Sequence, residues 1–392
     1  MGRRERALAM APVERVLVVG AGIGGLGAAT ALARSGIATD IVEIKPELSV
    51  YGVGINQPGN ALRALDLLGL LDEVLSVGYR FGGWDFHDAE GNLLCSVDSQ
   101  LGDDRVPDNI GLSRRDLHEI LARAADRGGI RVEYGTTVEN VATDADGAHV
   151  QFSDGRTGRY DVIAAFDGVK SAQRERVFRG AHRAAYAGVV IWRVTTPRPA
   201  EVTRGHVYQS VGAKAGLIPI SAENMYLFLV TPEPEGTRVE KHDLPDMLRE
   251  RLWSFAGPVG EIRDDLRADD DVVYSPLQEV MLPDPWFGDR TVICGDAAHA
   301  CAPHLTQGAA MALEDAVVLA EELAGGKSPE AALAAFSTRR YRRAKFVQEA
   351  SRGILDAEMS VTGETLPMAL EGMRAAVPIN LAQVDQVLRV PA

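Results

Sequence analysis

Residues 20–25 have the composition and spacing of a loop that binds a phosphate group. They follow the pattern G-x-G-x-x-G, carried by Gly20, Gly22, Ile23, Gly24 and Gly25. An apolar run precedes the loop and a helical pattern follows it, so the glycines fall at a strand-to-helix turn. The first glycine permits a tight turn, the second lets a pyrophosphate approach the backbone, and the third lets helix and strand pack closely. The helix N-terminus adds unpaired N–H groups and the positive end of a dipole.

An acidic residue follows at the place where such a loop needs one. Residues 38–43 have the pattern of the next strand, which ends on Glu43. A carboxylate there accepts hydrogen bonds from a ribose 2′-hydroxyl and would repel a 2′-phosphate. Strand, loop, helix and carboxylate together predict an adenine dinucleotide as the ligand, either NAD or FAD. The alternative is a glycine-rich helix that only packs closely against a sheet.

A second turn that faces a ligand is predicted near residue 296. Asp296 follows a buried apolar run, and Gln307 and Gly308 lie at the start of a long helical segment. An aspartate at the carboxyl end of a strand faces the crevice in which open α/β sheets bind ligands. An aspartate that only caps a helix would give the same pattern, so this motif alone leaves both interpretations open.

Three motifs in order resemble those of the class A flavoprotein monooxygenases, the aromatic-ring hydroxylase family that includes para-hydroxybenzoate and salicylate hydroxylases. They are the glycine loop with Glu43, the run Asp167-Gly168-Val169-Lys170-Ser171, and Gly295-Asp296-Ala297-Ala298-His299 followed by Pro303 and Gln307-Gly308. The resemblance covers nearly the whole chain, from about residue 14 to residue 350. It implies that the dinucleotide is FAD and that NADH or NADPH is a co-substrate.

The resemblance also implies roles for individual residues. Asp167 and Gly168 would touch both FAD and the reduced nicotinamide. Arg114 looks like the family arginine of an R-x-D-L motif that lies against the flavin, and Gly54 belongs to a segment similar to the loop beside the isoalloxazine ring. Lys45 corresponds to the basic residue that in this family often follows the acidic residue, which is Glu43 in this chain.

The chain departs from the family pattern at three places. Ile44 separates Glu43 from the basic residue Lys45. Ala165-Phe166 stands where the family usually has Gly-Ala before the D-G motif, and Thr306 occupies a position that is often glycine. The phenylalanine is bulkier than the residue usual at this position, which disfavours a nicotinamide contact but does not affect the expected FAD binding.

The implied reaction has two halves. NAD(P)H reduces the flavin, and the reduced flavin reacts with O₂ to give a C4a-hydroperoxide that transfers one oxygen to a small aromatic or heteroaromatic substrate. Asp296 would accept hydrogen bonds from the ribityl chain, and the helix N-terminus at Gln307 and Gly308 would stabilise negative charge on the reduced ring. Pro303 would border the reacting face, where a dry environment protects the hydroperoxide.

Candidates for a catalytic base come from two segments. His206 and Tyr208 share one predicted strand. His304 lies in the segment 295–308, here called the flavin loop, and this position makes it the strongest candidate. The pKa range of a histidine suits proton transfer near neutral pH. A satisfied structural histidine or tyrosine is the alternative for each. Trp192 and Arg193 are further candidates for the pocket wall.

No metal site is expected from the histidine pair in the flavin loop. His299 and His304 are five residues apart and do not form H-E-x-x-H, so His299 is interpreted as a packing residue.

Composition excludes several classes of protein. The chain of 392 residues has 46% apolar residues and a formal net charge of −14. Such an acidic chain is a poor partner for nucleic acid or an anionic membrane surface. Three cysteines without metal-ligand spacing favour a reducing cytoplasm. The uncharged segment 16–33 contains five glycines and is too short for a membrane span, and residues 1–12 are expected to be a disordered lead.

The pattern of elements predicts an α/β fold with a discontinuous Rossmann-like FAD-binding domain, an inserted antiparallel β-sheet domain that binds substrate, and C-terminal helices. The expected FAD-binding segments are 13–80, 100–185 and 275–356; the substrate domain takes 81–99 and 186–274, and a C-terminal tail takes 357–392. The sequence leaves the oligomeric state open, with a homodimer as one option.

Two alternatives remain open, and two further classes are disfavoured. One is an epoxidase or Baeyer–Villiger-type oxygenase with the same cofactor, and another is a flavin-binding protein without hydroxylase turnover. The isolated tryptophans disfavour a flavin halogenase, whose family carries W-x-W-x-I-P. An NAD-dependent dehydrogenase would leave the motifs at Asp167 and Asp296 unexplained.

Overall fold

The structure is a computed structural model, and it describes residues 13–48 and 53–392. The lead expected at residues 1–12 lies outside the described residues. So does Gly52, the first residue of the run Gly52-Val53-Gly54-Ile55 that resembles the loop beside the isoalloxazine ring. The α-helices are α1 Ile23–Arg34, α2 Gly59–Leu67, α3 Leu71–Val77, α4 Arg114–Arg127, α5 Ala172–Val177, α6 Leu244–Arg251, α7 Gly257–Asp265, α8 Asp296–His299, α9 Gly308–Ala324, α10 Pro329–Met359 and α11 Leu366–Arg389.

The strands of the described residues form four sheets. They are β1 Arg15–Val19, β2 Ala38–Glu43, β3 Gly54–Pro58, β4 Tyr79–Phe81, β5 Gly83–Asp88, β6 Leu93–Asp98, β7 Asn109–Ser113, β8 Val132–Tyr134, β9 Val138–Thr143, β10 Ala148–Phe152, β11 Thr157–Tyr160, β12 Val162–Ala165, β13 Ala185–Pro197, β14 Gly205–Ser210, β15 Ala213–Pro219, β16 Asn224–Pro232, β17 Val273–Glu279, β18 Phe287–Gly288 and β19 Thr291–Ile293.

The first large sheet carries the glycine loop. Its order is β18-β19-β12-β1-β2-β8, and β1 pairs in parallel with β12 and β2. Val16, Leu17 and Val18 are fully buried, because the sheet is covered on both faces. Helix α1 packs against α4 and α9. The predicted Rossmann-like arrangement is confirmed, and the loop after β1 and the turn after β19 open at the same edge of this sheet.

The second large sheet has seven strands in the order β17-β13-β16-β15-β14-β5-β6. It is not purely antiparallel as predicted, because β14 pairs in parallel with β5 from the earlier chain segment. Strand β17 also crosses the expected boundary at residue 275. One face packs on α6 and α7 through Trp192, Leu217 and Leu229. The other face is directed at the parallel sheet, so a space between the two sheets remains for ligands.

The segment expected to be a C-terminal tail is largely helical. Helix α10 continues to Met359, and α11 packs beside β6. Leu381, Val384 and Leu388 of α11 line the space between the sheets, so this helix forms one of its walls. None of the helices in the described part of the chain combines the length and apolar character that a membrane span needs.

A buried ionic network fixes the turn after β19. Arg340 is fully buried, and it donates to Glu314 Oε2 and Asp315 Oδ1, both at 2.7 Å. Asp315 Oδ2 accepts from the Gly295 N–H at 2.8 Å and lies 2.7 Å from His299 Nε2. Burial opposes ionisation of Asp315, but His299 and Arg340 lower its pKa to about 2. The network therefore joins α9 and α10 to the motif that carries Asp296.

Replacement of Arg340 by methionine is expected to destabilise the protein strongly. Glu314 and Asp315 would lose a buried counter-charge, although Arg343 would still donate to Glu314, and breaking a buried pair in this way costs about 3–5 kcal/mol. Urea denaturation of the FAD-loaded protein measures the change in the free energy of unfolding. The exposed Arg342 of the same helix offers a matched control, and Arg342→Met should change that free energy by about 0.5 kcal/mol or less. Equal losses in both variants would contradict the proposed role of the network.

Candidate active site

Among the glycines of the G-x-G-x-x-G loop, only Gly22 leaves room for a ligand. Gly20 has a φ of +101°, and a Cβ there would lie 2.5 Å from the carbonyl oxygen of Phe166. A Cβ on Gly25 would lie 1.8 Å from the carbonyl oxygen of Gly20. Gly22 is the N-cap of α1, and no heavy atom lies within 4 Å of its would-be Cβ. The open space therefore begins at Gly22, in front of the unpaired N–H groups of α1.

Glu43 stands beside this loop at the end of β2. Its Oε2 accepts from the Ala21 N–H at 2.9 Å, and its Oε1 accepts from the Lys45 N–H at 3.0 Å. On the other side of the loop, His118 Nε2 lies 2.7 Å from the Ala21 carbonyl oxygen. Burial lowers the pKa of His118, so the neutral ring donates this hydrogen bond. Sequence reasoning missed His118, because a histidine in an amphipathic helix carries no motif.

One cavity runs from the glycine loop to the seven-stranded sheet. At the nucleotide end it is lined by Gly22, Ile23, Gly24, Arg114, Gly168, Asp296, Gln307 and Gly308. At the sheet end it is lined by Gly54, Trp84, Phe86, Ile191, Arg193, Val207, Ile218, Tyr226 and Phe228. The structure thus brings eight of the expected cofactor residues and Gly54 to one space. Gly20, Gly25, Glu43 and Lys45 lie behind it, in or beside the glycine loop.

The start of α9 forms the centre of the cavity. Gln307 is the N-cap of α9, and its Oε1 accepts from Asn60 Nδ2 at 2.9 Å. Thr306 has a φ of +55°, which explains why this position is often glycine in the family that the sequence resembles. Asn56 Nδ2 donates to Thr306 Oγ1 at 3.1 Å and helps to hold this strained turn. Asp296 is exposed to the cavity in front of the same helix end.

The D-G motif is divided between two environments. Gly168 lines the cavity, whereas Asp167 Oδ2 accepts from the Gln173 N–H at 3.1 Å at the start of α5. Arg174 then ties this loop to the other ligand-facing turn, because it donates to the Val169 carbonyl at 2.8 Å and to the Ala297 carbonyl at 2.9 Å. Nothing in the sequence around Arg174 marked it, since its partners are distant backbone atoms.

His304 and Pro303 also line the cavity, in a short 3₁₀ turn before α9. His304 Nε2 lies 3.1 Å from Glu358 Oε2, and Lys214 Nζ donates to Glu358 Oε1 at 2.8 Å. Burial and Lys214 lower the pKa of His304 despite the carboxylate, so the imidazole is neutral near pH 7. His304 Nδ1, His304 Nε2 and Glu358 Oε2 are all buried, and none of them has a well-directed hydrogen-bond partner among the described residues. The ring therefore has Glu358 beside one nitrogen, and its other nitrogen has no partner in this part of the structure.

Two predicted bases lie on the wrong side of the sheet. Alternate residues of a strand point to opposite faces, and Val207 lines the cavity. His206 and Tyr208 consequently point to the outer face, where Tyr208 is packed in the core under α6 and α7. The expectation that they face the substrate is therefore corrected. Trp192 is on that outer face too, and it donates from Nε1 to Thr231 Oγ1 at 2.9 Å.

The residues present fit FAD, the group that the sequence implies. The space at Gly22 lies in front of a helix N-terminus, which suits a pyrophosphate. Asp296, exposed to the cavity, is an acceptor for hydroxyl groups, and the start of α9 supplies N–H donors beside it. The apolar and aromatic walls beyond it suit a flat ring system and a small substrate.

The fold and this cavity define a flavin-dependent oxidoreductase. Residues 14–351 match the family described as FAD binding domain. The chain belongs to this family, and within it to the class A FAD-dependent aromatic monooxygenases that its sequence resembles. It is an FAD-dependent monooxygenase of the aromatic hydroxylase type, with FAD as its cofactor.

Three similar proteins cover nearly the whole chain. The first is 2-heptyl-3-hydroxy-4(1H)-quinolone synthase of Pseudomonas aeruginosa, 32% identical over 342 residues, which are 86% of this chain and 87% of that protein. The second is 6-hydroxynicotinate 3-monooxygenase of Pseudomonas fluorescens, 31% identical over 369 residues, with 87% and 91% covered. The third is the crystal structure of Klebsiella pneumoniae HpxO with FAD and uric acid, which has a TM-score of 0.84 at 25% identity and covers 96% and 97%.

Proposed function

We propose that the protein hydroxylates a small aromatic or heteroaromatic compound with an acidic oxygen substituent, using O₂ and NADH or NADPH. The observation that carries this proposal is the position of Arg193. Its side chain is surrounded by protein but remains accessible from the cavity, between aromatic walls. Heteroaromatic compounds also appear in the names of the similar proteins, such as 6-hydroxynicotinate, or in their crystals, as uric acid.

A buried guanidinium normally has a carboxylate as counter-charge, and none of the described residues provides one for Arg193. Burial lowers its pKa, and the groups that act on its charge are Tyr226 and Arg114, with no carboxylate of the described residues among them. A desolvated cation without a partner is unfavourable, and a phenolate, enolate or carboxylate oxygen would compensate it. Trp84 and Phe228 line the same chamber and contribute aromatic surface to its wall. The chamber therefore favours a flat anion or a polarised carbonyl compound.

When bound, FAD would supply the redox chemistry, which consists of hydride transfer from the nicotinamide and activation of O₂ for transfer of one oxygen atom. The chain's own residues prepare the place for this chemistry. The N-terminus of α9 at Gln307 and Gly308 stabilises negative charge in front of it. Asp296 accepts hydrogen bonds at the same edge, and Pro303 with Ile191 and Phe228 lines a mainly apolar chamber that limits water.

His304 is the base in this proposal. Its Nδ1 accepts the proton of the substrate hydroxyl, while Glu358 orients the ring through Nε2. Although burial opposes it, Lys214 and His304 hold the pKa of Glu358 below its ordinary value, so the carboxylate is ionised. Deprotonation of the substrate increases its electron density, which favours attack on an electrophilic oxygen.

The pH profile of turnover tests this role. The active form of His304 is neutral, and its pKa lies below 6.5, so kcat should be constant between about pH 7 and 8 and fall on the acidic side. His304→Asn should remove this acidic limb and lower kcat by about 100-fold. Glu358→Gln removes a group that raises the pKa of His304, so the acidic limb of this variant's kcat profile should move to lower pH. His242→Asn, at an exposed histidine, is the control; an unchanged acidic limb in His304→Asn would contradict the assignment.

Stimulated oxidation of NAD(P)H tests the proposed function itself. The FAD-loaded protein would be screened with phenols, hydroxybenzoates and hydroxypyridines, and the decrease of nicotinamide absorbance would be followed. At least one compound should raise the rate above the basal value and yield a hydroxylated product. Hydroxylation, epoxidation and Baeyer–Villiger insertion each add one oxygen atom to the substrate, so the structure of the product, determined by NMR, distinguishes them. A basal rate with every compound would favour a flavin-binding protein without turnover. The proposal also includes a cytoplasmic location, because all three cysteines are free thiols and the cytoplasm is a reducing compartment.

A further inference from the structure

Three metal-ligating side chains meet on the outer face of the seven-stranded sheet, away from the flavin cavity. Asp85 and His87 are two residues apart on β5 and therefore share a face. Strand β14 pairs with β5 in parallel, and His206 is directly opposite Asp85. One potential ligand atom from each of the three side chains lies within 4.8 Å of the other two. None of these residues has a part in the proposed hydroxylation.

The hydrogen bonds around this cluster leave one ligand atom of each side chain available. His87 Nδ1 lies 3.3 Å from the Gly91 carbonyl oxygen, which can only accept, so the proton is on Nδ1. The other nitrogen, His87 Nε2, is buried and has no hydrogen-bond partner within the described ranges. A buried nitrogen lone pair without a partner is unfavourable, and a metal ion would satisfy it.

The side chains of His206 and Asp85 are arranged similarly: one polar atom contacts a neighbouring side chain, and the other lies toward the cluster. His206 Nδ1 lies 3.1 Å from Tyr208 Oη, which can accept from an Nδ1–H, and Nε2 lies 3.8 Å from Asp85 Oδ2; in the tautomer with the proton on Nδ1, the lone pair of Nε2 is available to an ion. Asp85 Oδ1 accepts from Arg204 Nε at 3.0 Å, which leaves Oδ2 available. Such outer partners are typical of histidine and carboxylate ligands, because they fix the tautomer and the orientation of the ligand. Arg204 also donates to Asp98 Oδ1 at 2.8 Å, so its own charge is compensated.

We propose that Asp85, His87 and His206 bind a divalent transition-metal ion, with Zn²⁺ as the representative. The ligands would be Asp85 Oδ2 and the Nε2 atoms of both histidines, and water would take the fourth position. Ligand atoms of a tetrahedral zinc site are about 3.4 Å apart, so the side chains would have to close by roughly 1 Å. The Asp85 and His206 side chains are 19% and 12% exposed, which gives an ion access.

The ion would act as a clasp within the substrate-binding sheet. Two of its ligands come from β5 and the third from β14, and these strands belong to chain segments that are far apart in sequence. Binding to the folded state alone would raise thermal stability with increasing metal concentration. The site lies on the face opposite the cavity, so the ion would not take part in oxygen transfer.

Metal titration of the untagged, FAD-loaded and chelator-treated protein tests the proposal. Calorimetry with ZnCl₂ should show about one ion per chain, and Co²⁺ should give the absorption bands of a nitrogen-liganded ion. His87→Ala and Asp85→Asn should weaken Zn²⁺ binding by at least about ten-fold and abolish the zinc-dependent rise in melting temperature. His149→Ala is the matched control, since His149 forms an exposed pair with Asp144 at 2.8 Å.

The outcomes separate a metal site from a purely structural cluster. FAD absorbance and circular dichroism would establish that each variant is folded, and His206→Gln replaces any variant that is not. Binding of one ion that is lost in these variants and retained in His149→Ala supports the proposal. Absence of saturable binding, or binding unchanged in the folded variants, overturns it. Neither result affects the proposed hydroxylation, because FAD content and turnover are measured separately.

Discussion

Replacement of Gly22 by valine is expected to give a folded protein that does not hold FAD. Gly22 has extended backbone angles of −75° and −174°, which valine adopts without strain. No atom of the protein lies within 4 Å of its would-be Cβ, so the fold itself tolerates a side chain. The isopropyl group would instead occupy the approach of the pyrophosphate to the start of α1, and we expect affinity to fall by about 100-fold or more.

The ratio of flavin to protein absorbance after purification measures this loss, and titration of the FAD-free protein gives the change in Kd. Gly353→Val is the matched control, since Gly353 is exposed on α10 and its would-be Cβ also has no neighbour within 4 Å. The control should be yellow, and both variants should have the circular dichroism spectrum of the parent. A Gly22→Val protein with the parent's flavin content would contradict the placement of the phosphates at this loop.

Replacement of Arg193 by methionine should separate activity from stability. Loss of a charged hydrogen-bond donor to the substrate lowers kcat/KM by about 100-fold, since truncating one partner of a buried charged pair costs about 2–5 kcal/mol. In the absence of substrate, however, Arg193 has no carboxylate partner among the described residues. Removing an uncompensated buried charge should leave the free energy of unfolding unchanged or raise it. FAD content should remain that of the parent.

Steady-state kinetics with any stimulating compound, together with urea denaturation, would measure both effects. Arg193→Lys should retain part of the activity, because it keeps the charge but loses the planar donor pair. Arg159→Met, at an exposed arginine, should change neither quantity. If Arg193→Met turned over every stimulating compound with the parent's kcat/KM, the substrate would be held elsewhere in the cavity.

Local sequence signals were sufficient for the nucleotide-binding half of the fold. The apolar run of β1, the glycine spacing and the carboxylate of Glu43 lie within about thirty residues, and each acts on its immediate neighbours. The later motif around Asp296 was recognised by its order in the chain. Its support was not, because Arg340 and Arg174 reach it from elements whose packing no local pattern specifies.

The substrate side was less accessible to sequence reasoning. A period of two residues shows that His206 and Tyr208 share a face of their strand, but it does not show which face meets the flavin. The parallel pairing of β14 with β5 decides this, and it joins segments that are distant in sequence. Glu358 was missed for the same reason, since its contact with His304 requires α10 to return to the flavin loop.

The net charge of −14 describes the whole chain and not its cavity. Arg114, Arg193 and Lys214 line the cavity, with Asp296 and Asp385 as acidic neighbours. An anionic cofactor and an anionic substrate can therefore be attracted locally, although the protein as a whole is acidic.

Turnover under ¹⁸O₂ tests the central claim most directly. The FAD-loaded protein would be supplied with NAD(P)H and a compound that stimulates its oxidation, and the product would be examined by mass spectrometry. A monooxygenase that works in this cavity should place one ¹⁸O atom on the aromatic ring for each product molecule and release the other as water. A hydroxylated product that carries unlabelled oxygen from the water of the buffer, or stimulated oxidation that yields only H₂O₂ and unchanged compound, would contradict the proposed function.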